Sequence, residues 1–235
     1  GLSYSSVTGT SSNSIFGETL AVATEGDNTH PDMTLVVGAP GDSSSRGAVF
    51  TIDNDIGDWT SASAATVTTT KLTGQYDSAG DQYGSSIDIL DGKLVVGVPY
   101  SDFNGLEAGL VYHYYYNTTN ATWTEDGIIQ QNDPSNYDHY GNSVSLSTTT
   151  VYPGNTIKDT IIVGAKDKNA AYGYAYNNTA GIYEQTTKIF PINISAGDGF
   201  GSAVAVNGDY ALIGATNRDI GAINNVGEVF HISLG

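Results

Sequence analysis

The chain has 235 residues, no cysteine, and 8 Lys and Arg against 25 Asp and Glu, a net charge of −17. That length is enough for one large all-β domain with its own core. The missing cysteines exclude disulfides, thiol nucleophiles and cysteine-based metal sites, and so negative a surface argues against nucleic acid and anionic membranes as partners. No apolar run reaches the roughly 18–20 residues of a membrane helix, so membrane insertion is not expected. No leader is visible, and the abrupt ends at Gly1 and Gly235 are expected to be those of a mature or excised segment of a longer precursor. Few charges with abundant Ser, Thr, Asn, Gly and Tyr fit a secreted, extracellular or cell-surface β-protein.

In chain order, Leu2 to Gly9 reads as a strand ending in Thr-Gly, followed by a polar linker and Phe16-Gly17. "ETLAVA" then alternates, as a half-buried strand does. "TLVVGAP" follows as an apolar run, "GAVFTI" from Gly47 as a third strand, and "TVTTTKLTG" as a fourth. The order then repeats. Tyr83-Gly84 opens "SSIDIL", "KLVVGVP", "GLVYHY" from Gly109 and "WTEDGIIQQ". Tyr140-Gly141 opens "NSVSLS", "TIIVGAK", "GYAY" from Gly173 and "YEQTTKIFPI". Phe200-Gly201 opens "SAVAV", "YALIGAT" and "GEVFHI" from Gly227, with no fourth strand after it. The aromatic-Gly pairs are 67, 57 and 60 residues apart. Four short strands per unit with Gly-rich turns is the pattern of a propeller blade. Asp91-Gly92 and Asn207-Gly208 predict two-residue type I′ hairpins, while repeats one and three have longer loops there.

The aromatic-Gly pair, "VVGAP" at Val36–Pro40 with its variants, and the Gly-x-Val-aromatic strand resemble FG-GAP repeats, found also in integrin α-subunits. The resemblance covers nearly the whole chain. It implies a single β-propeller domain over 1–235, with blades at about 16–82, 83–139, 140–199, and 200–235 plus 1–15. Adhesion, sugar binding and scaffolding all occur on this fold. The fourth blade lacks its outer strand, and the N-terminal strand is expected to supply it. In cis this closes a four-bladed ring; in trans it completes a neighbour and builds a filament. A place in a larger propeller is a third reading.

Candidate sites are sparse. No G-x-S-x-G or H-E-x-x-H occurs, and His30, His113, His139 and His231 have no ligand spacing. An enzyme is not expected, although a domain cut from one would look the same. Calcium-binding members of the resembled family carry a D-x-D-x-D-G loop between the first two strands, which is absent here. The nearest local match is Asp53, Asp55 and Asp58 in "DNDIGD", whose oxygens suit a hard cation such as Ca2+; the alternative is a solvated turn. Asp42, Asp102, Asp167 and Asp219 recur after each apolar strand and are expected to bond their own loops. Trp59, Trp123 and Tyr112, Tyr114 and Tyr116 are candidates for a sugar platform, against packing as the alternative. Asn117, Asn120, Asn177 and Asn193 head N-glycosylation sequons, the first three in turns after third strands; the Thr66–Thr70 run is a candidate for O-glycans. The sequence thus points to a non-enzymatic structural or adhesive surface module whose partners are other copies, glycans or proteins. A lectin using inter-blade loops is the alternative.

Overall fold

The computed structural model describes residues 8–9, 11–24, 33–54, 67–151 and 156–234. They form four antiparallel sheets, arranged as successive blades of a propeller. β1 (Thr19–Thr24), β2 (Met33–Ala39), β3 (Ala48–Asn54) and β4 (Val67–Leu72) make blade one in chain order. β5 (Ser86–Leu90), β6 (Lys93–Val98), β7 (Leu110–Asn117) and β8 (Thr122–Ile129) make blade two. β9 (Tyr140–Val151), β10 (Thr156–Ala165), β11 (Ala170–Asn177) and β12 (Ile182–Ile189) make blade three. β13 (Phe200–Asn207), β14 (Tyr210–Ala215) and β15 (Glu228–Ser233) make blade four, a three-stranded sheet among the described residues.

The apolar second strands lie mid-sheet; those of blades one to three are covered on both faces and so do not alternate, whereas β14 is covered on one face only and alternates. Three core layers lie between consecutive blades. Val36 and Val49 meet Ile89, Leu94, Val96, Tyr112 and Trp123 between blades one and two. Val95, Val111 and Ile129 meet Val144, Leu146, Ile161 and Tyr172 between blades two and three. Ile162, Ala171 and Ile189 meet Ala211, Ile213 and Phe230 between blades three and four. Each aromatic of the repeated pair stands edge-on to a ring of its own third strand: Phe16 to Phe50, Tyr83 to Tyr112, Tyr140 to Tyr172 and Phe200 to Phe230, at 5.2–5.7 Å.

Consecutive blades are stitched by backbone. Gly47 bridges Tyr83 and Gly109 bridges Tyr140 in parallel pairs. In blade three this place is taken by Asn169, at φ 54°, whose Oδ1 accepts from the amides of Gly199 and Phe200 at 2.8 and 3.1 Å. The third strand of that repeat therefore starts at Ala170 and not at Gly173. Asn adopts the left-handed region with little strain, so no glycine is needed there.

The Asp91-Gly92 hairpin has two positive φ angles, as type I′ requires. The second hairpin is shifted by one residue from its expected place. Asn207 pairs with Tyr210, the loop is Gly208-Asp209, and only Gly208 of the loop is at positive φ. A first-position glycine is the requirement of type II′. Of the expected N-terminal strand, only Thr8 and Gly9 are described, and neither is in a strand; Leu2 to Val7 lie outside the described residues.

Candidate functional site

Asp53 lies on the inward face of β3, buried, with Oδ1 accepting from Thr34 Oγ1 at 2.7 Å and Trp123 Nε1 at 3.5 Å. Asp55 and Asp58 lie outside the described residues, and so does Trp59. Among the described residues no group of three or more His, Asp or Glu side chains is placed to hold a metal ion. Trp123 is buried against Tyr116, ring centroids 5.4 Å apart, so it packs the core and offers no open platform. Tyr112 and Tyr114 are buried on the same face of β7.

Asp102 and Asp219 do bond their own loops, accepting from the amides of Glu107 and Asn225 at 2.8 Å each. Asp42 accepts from Ser43, from Lys71 at 2.9 Å and from Ser11 at 3.1 Å. Burial opposes its charge, but these donors hold it below the usual carboxylate range. Asp167 instead meets His139 of the preceding linker, whose other ring nitrogen is 3.0 Å from Glu107. His30 is outside the described residues, while His231 stacks on Tyr210.

Asn117 and Asn177 close β7 and β11, each using Oδ1 to accept an amide two residues on. Asn120 is exposed in the β7–β8 turn, and Asn193 is exposed in the linker before β13. Nearby, between blades two and three, lies a cleft of about 400 Å3. It is lined by Lys93, His113, Asp126, Asp159, Tyr176 and Tyr183. Lys93 pairs with Asp159 at 3.2 Å, and His113 lies 3.6 Å from Asp126 and edge-on to Tyr183. Burial lowers the His113 pKa, with Asp126 opposing. Sequence reasoning missed this cleft because its residues come from six strands.

Among the described residues, exposed apolar side chains and an unpaired edge lie on the two outer blades. β15 is a bare edge among the described residues. On the outward face of blade four Leu212 is 49% and Val229 67% exposed. Their counterparts in the other blades, Val36, Val95 and Ile162, and Val49, Val111 and Ala171, are 0–1% exposed. On the outward face of blade one Leu20 is 70% and Val22 57% exposed, where Ile89 and Leu146 are buried in blades two and three.

Two stretches, residues 67–114 and 183–232, match the model of the FG-GAP repeat. Over these two stretches the chain is similar to the FG-GAP repeat. Both matches share one frame, since the first runs from β4 through most of β7 and the second from β12 through most of β15. An FG-GAP unit here is thus the outer strand of one blade followed by three strands of the next. A search of curated proteins found no match to the chain. No helix among the described residues is long and apolar enough to cross a membrane.

Proposed function

We propose that the chain is a non-enzymatic structural or adhesive module of an extracellular surface, joined to copies of itself and carrying N-glycans at Asn117, Asn120, Asn177 or Asn193. The N-terminal strand of one copy completes the fourth blade of the next. The observation that carries this reading is the bare β15 edge, in a chain whose two matched stretches each begin with an outer strand. An unpaired edge is a template for another strand, and head-to-tail donation between identical chains builds open strings. Glycans at the strand ends of blades two and three would leave that edge clear.

Native mass spectrometry with negative-stain imaging tests this on the protein from its source and on a form lacking residues 1–9. The intact protein is expected as multiples of the 24.5 kDa chain with added hexosamine mass, and the truncated form as single chains. Single chains in both samples would refute self-assembly. The cleft between blades two and three favours a second reading, a lectin. A saturable sugar titration lost in Tyr183→Ala would support it, and no saturation with any sugar of a broad panel would remove it.

A further inference from the structure

The cleft lies where the junction between blades two and three departs from the one before it. Between blades one and two, Thr34, Asp53 and Trp123 are all buried and form a closed set, with Asp53 Oδ1 accepting from Thr34 Oγ1 at 2.7 Å and from Trp123 Nε1 at 3.5 Å. Counted from Gly38 and Gly97, the place of Thr34 is taken in blade two by Lys93; counted from Gly47 and Gly109, that of Asp53 is taken by Tyr115. Trp123 and Tyr183 also correspond, since each pairs with the last tyrosine of its third strand, Tyr116 and Tyr176. Here the set does not close. Lys93 turns to Asp159 at 3.2 Å, and about 400 Å3 stays open.

His113 lines this opening although it is only 6% exposed. Its ring makes no hydrogen bond to a described side chain, and the nearest carboxylate, Asp126, is 3.6 Å from Nδ1, beyond hydrogen-bond reach. Burial holds the ring below the usual histidine range, so it is neutral and one nitrogen is a bare acceptor. A buried polar group without a partner is costly. Asp126 is the extra residue of a bulge in β8, where His113 pairs with Gly127 and Tyr114 with Glu125. Bulges re-aim side chains, and this one turns a carboxylate into the cleft. The same bulge in β12 carries Thr186, whose hydroxyl donates to the Gly173 carbonyl at 3.1 Å. Asp126 is instead 38% exposed, with no Lys or Arg at ion-pair distance among the described residues.

We propose that this cleft binds a primary ammonium group, which donates to a ring nitrogen of His113 and to the Asp126 carboxylate and lies against Tyr115, Tyr176 and Tyr183. The charges lining the cleft decide the class. Lys93 and Asp159 cancel, which leaves Asp126 uncompensated. A neutral ligand covering Asp126 would strip its water and return no charge, and an anion would add repulsion. A metal ion is not served, since no group of three or more His, Asp or Glu side chains among the described residues is placed to hold one. An ammonium has three donors and no acceptor, which matches an acceptor nitrogen beside a carboxylate, and tyrosine rings add cation–π attraction. The chain's charge of −17 draws such a ligand in. A lysine side chain of a partner protein and a free polyamine both carry the group. The site does not depend on the self-assembly reading, and it competes with the sugar reading of the same cleft.

Titration calorimetry of the unchanged chain and of Asp126→Asn tests this, with Nα-acetyl-lysine methylamide, the same compound acetylated on Nζ, and spermidine as probes. The unchanged chain is expected to bind an amine saturably, and the Nζ-acetylated compound at least about tenfold more weakly than its parent. That comparison needs no variant, so it holds whatever a substitution does to folding. Asp126→Asn is expected to melt with the unchanged chain and to weaken amine binding at least about tenfold. Tighter binding of the lysine compound than of spermidine assigns the site to a protein partner, and the reverse order to a polyamine. Amine binding that survives Asp126→Asn unchanged belongs to the negative surface at large and overturns the inference. No saturable amine binding overturns it too, and if a neutral sugar then saturates the cleft, the lectin reading stands in its place.

Discussion

Asp77 is a carboxylate buried in the linker between blades one and two. The Gly74 amide donates to Oδ2 at 2.9 Å and the Tyr112 hydroxyl to Oδ1 at 3.0 Å. Burial outweighs these bonds and pushes its pKa up to about 6. A raised folded pKa means the folded chain binds that proton more tightly than the unfolded chain. Its stabilising contribution is full below about pH 4 and is lost as pH rises through 6, on the order of 2–3 kcal/mol. The melting temperature should rise on acidification from pH 7 to 5, and Asp77→Asn should flatten that rise. Parallel slopes in the two proteins would contradict this. Asp42, with its pKa lowered, acts oppositely, and its contribution is lost as pH falls below the ordinary carboxylate range. None of this was legible in the sequence, where Asp77 is one acidic residue in a polar linker. Asn169 was missed for a related reason: the repeat was tracked by glycine, and the backbone requirement is a positive φ, which Asn also meets.

Strands were the most legible elements, because alternation, apolar runs and Gly-rich turns each report a distinct local geometry. The expected four strands of blades one to three all appear, and the three strands of blade four with them. What spacing did not reveal is why the glycine of "VVGA" recurs. It ends a strand, so it reads as a turn residue, yet Gly38, Gly97 and Gly164 lie within strands and make room for the next blade's backbone. Gly97→Ala should therefore cost several kcal/mol, because its Cβ would meet a backbone carbonyl that cannot yield without moving a whole blade. Urea unfolding would read the loss, and a midpoint unchanged from the parent chain would show that the junction tolerates a methyl group. The turn at Asn207 was misplaced by one residue because Asn-Gly and Gly-Asp are both good loop pairs. The pairing of Asn207 with Tyr210 decides between them.

At the scale of the molecule the propeller was readable from the repeat, but the site was not. Repeats report what neighbouring blades share, whereas the cleft at His113 and the β15 edge, bare among the described residues, arise where blades differ. The cleft draws single residues from several strands, and no spacing rule gathers them. The parallel bridges at Gly47 and Gly109 have a further consequence, for biosynthesis. Blades one and two are each built from one continuous stretch, and each is latched by the aromatic that opens the next, Tyr83 onto Gly47 and Tyr140 onto Gly109. With synthesis at about 5–20 residues per second, a latch arrives a few seconds after the glycine it closes on. The chain can then fold as a ratchet during its own production, each finished blade serving as the template for the one still being made.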